Sequence, residues 1–365
     1  MKRNIRRMFV AGLTAASLAG AVIQASGEEL TKLKLGFGTK VVSPMVANIL
    51  IPEYLGYYKE EGLTLEFFPL GPNSVVLEQI ASKRIDFATA VPSVQLPIVA
   101  RGEKLPTVNF FEFTYPFKYG LAVPPDSAIK SFADLKGKKV GVSSFGLTDF
   151  AVLKRILARN GIDPEKDLSM LAVGEGVTGG LALKRGAVDA LFSYDTQFGQ
   201  IEAAGIKVGY VPLPANIPNI GGLYLTARPE TLEKNRKWAV GVGRAVAKGQ
   251  VFIRENPRAA AYVFLKMFPE AAPKAKTLEQ QIDAIVVPIN KRKEFFSSYD
   301  KSVTKWGQLS ANEFKEEVEF MGFSDKIKDV EPLFTNSLIG DINKFDADKI
   351  RKQAREFKIP VENSN

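Results

Sequence analysis

Apolar and polar residues alternate over 32–38 (KLKLGFG), the pattern of a strand with one buried face. Ser43-Pro44 then joins an N-cap residue to proline at the first helical position. The apolar spacing that follows predicts a helix to about Glu61, stopped by Gly62. A second strand is expected over 63–70 (LTLEFFPL), then a turn at Gly71-Pro72-Asn73-Ser74 and a helix to about Arg84. The nearly all-apolar run 85–91 (IDFATAV) reads as a buried strand, after which Pro92 opens a helix that ends near Gly102. Strands alternating with helices of about 10–18 residues predict a mainly parallel sheet with helices on both faces.

The pattern then recurs. Lys139-Val140-Gly141-Val142-Ser143 repeats Lys34-Leu35-Gly36-Phe37-Gly38, and Lys184-Arg185-Gly186-Ala187-Val188-Asp189-Ala190-Leu191 echoes Lys83-Arg84-Ile85-Asp86-Phe87-Ala88. Two such units, about 100 residues apart, predict two similar lobes rather than a solenoid. From about Arg228 the character changes. A long helical stretch is expected over 229–255, another helix starts at Asn256-Pro257, and further helices are expected at 277–289, 310–323 and 346–357. The simplest arrangement returns these helices to the first lobe, with 119–123 and 221–227 as crossover strands forming a hinge. Lobe one is then 28–118 with 222–365, and lobe two is 119–221.

Composition narrows the chemistry. The 365 residues are 45% hydrophobic and 24% charged, ordinary for a globular chain of about two domains. Histidine and cysteine are both absent. That removes Ser–His–Asp and Cys–His machinery, the usual zinc sites, cysteine-held iron–sulfur clusters and disulfides. No cofactor or metal is expected. The net charge is +9, but Lys2, Arg3, Arg6 and Arg7 precede the first acid at Glu28. The rest is mildly basic without a basic stripe, so no nucleic-acid partner is expected.

Residues 1–27 read as a cleaved export signal: a basic start, an apolar run over 8–23, then Ala25, Ser26 and Gly27. The Arg6-Arg7 pair also resembles a twin-arginine signal. The mature protein is expected to be periplasmic and monomeric.

These pieces resemble the periplasmic solute-binding proteins of ABC importers, in the group that binds nitrate, sulfonates, taurine and pyrimidine precursors of thiamine. The resemblance rests on the order of 55–63 (LGYYKEEGL), Gly71-Pro72, Ile85-Asp86-Phe87-Ala88, 135–141 (LKGKKVG), 186–190 (GAVDA) and Arg228-Pro229-Glu230-Thr231. It implies an α/β clamshell of the type II periplasmic binding fold, with the helical C-terminal region packed on lobe one. It also implies a small-molecule ligand, and a permease with its ATPase as partner. One branch of the group is enzymatic and makes a thiamine pyrimidine by consuming its own histidine, beside a cysteine-rich motif. This chain has neither residue type, so a binding protein and not an enzyme is expected.

In open α/β sheets ligands bind beyond the carboxyl ends of the strands. In lobe one those loops supply Lys40, Ser43, Asn73, Ser74, Pro92 and Ser93, with Phe37 at a strand end. In lobe two they supply Ser144, Phe145, Thr148, Tyr194, Asp195 and Thr196. Several of these residues precede helices, whose free N–H groups suit a polar oxygen, while the hydroxyls equally suit N-capping. Phe110, Phe111, Phe113, Tyr115, Phe117 and Tyr119 crowd the approach to the hinge, where aromatic rings serve either core packing or stacking on a planar ligand. Asp149 and Asp195 lie in lobe-two cleft loops, with Glu112 and Glu175 nearby. Asp195 would suit a neutral or cationic heteroaromatic, while Asp149 also reads as a first-turn helix charge. Lys40 and the loop N–H groups would suit a sulfonate or nitrate. A ligand-sensing clamshell serving a membrane sensor, and a secreted enzyme, are the alternative functions.

Overall fold

A computed structural model of the chain describes residues 29–115, 118–218, 221–273, 276–296 and 305–360. The expected export segment and Phe117 lie outside the described residues. Lobe one opens with β1 (Thr31–Phe37), α1 (Ala47–Tyr54), β2 (Leu63–Pro69), α2 (Asn73–Ala81), β3 (Phe87–Ala90), α3 (Pro92–Ala100) and β4 (Val108–Thr114). Lobe two holds β5 (Tyr119–Val123), β6 (Lys139–Val142), α4 (Thr148–Arg159), β7 (Ser169–Ala172), α5 (Val177–Lys184), β8 (Ala190–Tyr194), α6 (Asp195–Ala203) and β9 (Gly209–Val211). The chain then returns through β10 (Leu223–Ala227). After it come α7 (Pro229–Lys234), α8 (Arg236–Glu255), α9 (Pro257–Met267), α10 (Leu278–Lys293), α11 (Ala311–Met321), α12 (Ile339–Ile342) and α13 (Ala347–Glu356).

The two sheets run β2-β1-β3-β10-β4 and β7-β6-β8-β5-β9. In each, three strands are parallel and a crossover strand inserts antiparallel beside the third. The repeat read from sequence has a shared physical cause. In lobe one the Lys34 N–H donates to the Asp86 carboxylate at 2.9 Å, and the Asp86 N–H donates to the Lys34 carbonyl at 2.9 Å. In lobe two Lys139 and Asp189 make the same pair of bonds at 2.7 and 2.8 Å. Each aspartate thus sets the register at which its sheet's third strand enters.

Two expected elements are interrupted. The helix expected to reach Glu61 ends at Tyr54, because Gly56 turns into the left-handed region (φ +79°), and only a short 3-10 turn follows at Lys59–Glu61. The helical stretch over 229–255 breaks at Asn235 into α7 and α8. The C-terminal helices return to lobe one as expected. α8 and α9 pack on α1, α13 and α12 on α8, and α11 on α3. α10 does more: it also lies along α6 of lobe two, so tightly that a Cβ at Gly199 would sit 2.5 Å from the Pro288 Cα. Among the described residues no helix is long and apolar enough to cross a membrane.

Candidate functional site

Between the carboxyl ends of the two sheets lies a narrow cleft. Its apolar wall comes from Met45, Val46, Val91, Phe113, Leu147 and Leu223, with the rings of Tyr119 and Tyr194. Those two rings meet edge to face, 6.1 Å apart. Its polar wall is made by Asn73, Thr89, Lys118, Thr148, Asp149 and Glu175.

Lobe two supplies the acids. Asp149 stands in the first turn of α4, and its Oδ2 accepts the Ser143 N–H at 2.6 Å, which ties the end of β6 to the start of the helix. Its Oδ1 is buried and has no hydrogen-bond partner among the described residues. Burial pushes the Asp149 pKa up, while the N–H and hydroxyl of Ser143 and the N–H groups of Phe150 and Asp149 oppose that rise. Glu175 is flanked by Gly174 (φ +85°) and Gly176 (φ +54°), whose positive φ angles suit glycine and turn the chain on either side of it. The Glu175 carboxylate accepts from Gln197 Nε2 at 3.0 Å, and the same amide donates to the Tyr194 hydroxyl at 2.7 Å. Burial and then the nearby Asp149 charge raise the Glu175 pKa, with the Gln197 hydrogen bond and then the Lys40 charge opposing. The Gln197 Oε1 is a second buried acceptor with no partner among the described residues.

Lobe one supplies Asn73, whose Nδ2 crosses the cleft to Thr148 Oγ1 at 3.2 Å. Gly38 leaves room for it: a Cβ there would lie 2.1 Å from the Asn73 Oδ1. At the hinge, Lys118 lines the cleft floor and donates to the Gly221 carbonyl at 2.7 Å. Burial and the Arg292 charge push the Lys118 pKa down to about 7.

The sequence-level candidates are thus divided. Asn73, Thr148 and Tyr194 line the cleft, and Pro92 and Ser93 line a smaller adjoining cavity with Thr148 and Lys118. Lys40 is exposed, though close enough to Glu175 to act on its charge. Ser74 is exposed as well, and Ser144 accepts the Gly146 N–H within its own loop. Phe145 is 54% exposed and packs on Phe150. Phe37, Ser43 and Thr196 are buried away from the cleft wall, Phe37 in the hydrophobic core. Asp195 differs most from expectation. Its carboxylate makes a two-pronged ion pair with Arg292 of α10, at 2.7 Å to Nε and 2.6 Å to Nη2.

Behind the hinge lies a buried carboxyl cluster that sequence reading did not assemble. Glu317 of α11 accepts the Gly221 N–H at 3.1 Å. Glu313 shares hydrogen bonds with Glu112 and with the Tyr224 hydroxyl. Burial pushes Glu313 and Glu317 up to about 7. Between pH 4.5 and 7 the folded protein therefore holds a proton on Glu317 that the unfolded chain has lost, so this group's contribution to stability falls as pH rises through that window. Glu317→Gln keeps an acceptor for Gly221 and removes the titration. The variant's stability relative to the parent is expected to increase from pH 5 to pH 8 in urea denaturation series. A difference that stays flat over that range would contradict the assignment.

With this geometry in view, residues 43–260 match the family described as NMT1/THI5 like. The chain belongs to the NMT1/THI5-like family. Among its relatives, a binding protein of Bacillus subtilis, YtlA, is 24% identical over 230 residues, covering 63% of this chain and 68% of the relative. A 4-amino-5-hydroxymethyl-2-methylpyrimidine phosphate synthase of Legionella pneumophila is 24% identical over 312 residues, covering 82% and 90%. Among solved structures, the alkanesulfonate-binding protein SsuA of Xanthomonas axonopodis, bound to MOPS, superposes with a TM-score of 0.59 at 17% identity, covering 86% of this chain and 98% of that one. The periplasmic nitrate-binding protein NrtA of Synechocystis does so with a TM-score of 0.58 at 15% identity, covering 91% and 99%. At these identities the superpositions establish the periplasmic-binding-protein fold.

Several motifs by which this NMT1/THI5-like chain is recognisable do structural work. The Tyr58 hydroxyl donates to the Ile49 carbonyl at 2.8 Å, and Glu60 and Glu61 accept from Lys248 and Arg244 of α8, both at 2.7 Å. Arg228 donates to the carbonyls of Ile80 and Ile85, closing the end of α2. The residues that line the cleft lie mostly between these motifs.

Proposed function

We propose that this protein is the periplasmic solute receptor of an ABC-type importer, and that its solute is a small, neutral or cationic heteroaromatic carrying N–H donors, such as an aminopyrimidine. The observation that carries the solute class is the lobe-two wall. Asp149 Oδ1 is a buried acceptor without a hydrogen-bond partner among the described residues, with Glu175 beside it and Gln197 Oε1 behind. A buried acceptor left unmade costs about 1–3 kcal/mol, which a solute N–H recovers. Tyr119, Tyr194 and Phe113 supply faces for a planar ring. A sulfonate or nitrate would instead meet two carboxyl groups, with Lys118, the Asn73 amide and the Thr89 and Thr148 hydroxyls to receive it.

The relatives support this reading from two directions, since one is named for binding and one for pyrimidine chemistry. This chain has no histidine or cysteine with which to follow the histidine-consuming route of the enzymatic branch, so the pyrimidine class enters as cargo rather than product. Closure on the solute draws contacts from both lobes, and a permease reads the closed shape.

A thermal-shift screen of residues 28–365 against aminopyrimidines, taurine, alkanesulfonates and nitrate tests it. Aminopyrimidines are expected to stabilise the protein, by about 2.7 kcal/mol at ~100 times Kd. Stabilisation by alkanesulfonates or nitrate alone would refute the solute class while leaving the receptor reading in place.

A further inference from the structure

Beside the cleft, α4 of lobe two leans on the C-terminal end of α11, which packs in lobe one. The Arg155 Nε donates to the Phe320 carbonyl. Its guanidinium lies over Gly322, where a Cβ would come within 2.5 Å of Nη2 and 2.9 Å of Cζ. Gly322 caps α11 at φ +78°, so glycine serves there both for the left-handed backbone and for the close approach of the arginine. One turn further along α4, Arg159 Nη2 stands 3.7 Å from Glu319 Oε1, and its guanidinium 5.8 Å from the Phe320 ring. The last carbonyls of α11 are the negative end of its dipole, which two arginines complement.

Both helices are anchored to what they would pull. The α11 residue Phe314 stacks on Tyr224 of β10 at 5.1 Å and on Phe334 at 5.0 Å, so α11 is held to the lobe-one sheet. α4 carries Thr148 and Asp149 of the cleft wall in its first turn, about 10 Å from Arg155 at 1.5 Å per residue. A bond between these helices therefore acts, together with the Asn73–Thr148 bond across the cleft, on how far its two walls stand apart.

We propose that Arg155 is a positioning residue for solute capture: it clasps α4 to α11 and holds the lobes together before any solute arrives. It lies outside the cleft lining and acts through the spacing of Asp149 and Asn73. The apparent affinity of a receptor scales with the fraction of molecules already in the binding-competent arrangement. The inference rests on the solute-receptor reading of the cleft, but its test uses no solute, so the two can fail separately.

The chain has no cysteine, so Glu78→Cys on α2 and Lys184→Cys at the end of α5, both exposed, take one spin label in each lobe. Pulsed electron-resonance distances are measured on the solute-free protein. The parent is expected to show mainly the short distance. Arg155→Ala is expected to raise the ratio of long to short distances roughly tenfold, the scale of one hydrogen bond to a charged group, with its melting temperature held close to the parent's. Glu319→Ala, which leaves Arg155 in place, is expected to move the ratio in the same direction by less. Distances unchanged in Arg155→Ala would overturn the proposal. So would a parent that is already open, or a fall in melting temperature without a change in distance, which marks a merely structural arginine.

Discussion

Arg292→Met is expected to destabilise the protein by about 3–5 kcal/mol, the range for breaking one side of a buried ion pair. Arg292 is 1% exposed and Asp195 5%. The guanidinium meets both carboxylate oxygens and also reaches Thr114 Oγ1 at 3.3 Å, joining α10 to lobe two and to β4 at once. Removing it leaves a buried carboxylate without its ion-pair partner, its charge offset by the N-terminal end of α6 and by nearby Lys118. The Arg292→Met/Asp195→Asn double variant removes that stranded charge and is expected to recover most of the loss. Urea midpoints of the parent, both single variants and the double variant measure the coupling. A single Arg292→Met variant as stable as the parent would show that the pair adds nothing. Asp195→Asn alone is expected to leave solute affinity nearly unchanged, since the Asp195 carboxylate is turned to Arg292 and not to the cleft.

Asp149→Asn is expected to lower affinity for the aminopyrimidine selected by the thermal-shift screen by about 10- to 100-fold, with little change in the solute-free melting curve. The magnitude is that of a hydrogen bond to a charged group, ~1.5–3 kcal/mol. Asparagine keeps one oxygen for the Ser143 N–H, so the start of α4 stays in place. Its amide nitrogen then points donors where the parent offers an acceptor, and a solute N–H meets a donor. Calorimetry on parent and variant reads the difference. Equal affinities would remove Asp149 from the recognition of the solute and shift the argument to Glu175.

How much of this was legible beforehand depended on how local each signal is. The strand at 85–91 and the helix opened by Pro92 follow from a run of apolar residues and a proline, and both appear where expected. Asn73, Thr148 and Tyr194 were readable because the end of a strand is a local feature and the cleft always lies beyond it. Asp195 carried the same local signal as Asp149. Each stands in the first turn of a lobe-two helix, and nothing within ten residues says which has an arginine opposite it.

The sequence by itself determined the alternation of strands and helices, the two-lobed repeat and the ends of the strands, because these are written in periods of two and 3.6 residues and in short-range turn chemistry. The repeat even carries its own lock, since Asp86 and Asp189 stand at matching places in the two lobes and bind matching strands. Only the tertiary structure decided which charges face the cleft and which hold the fold. Arg292 lies 97 positions from Asp195, and Glu313 lies 89 from Tyr224. Whether an acid is paired, protonated or free to take a ligand depends on what burial brings against it. That is set by how α10 and α11 pack over the hinge, and no pattern along the chain encodes it.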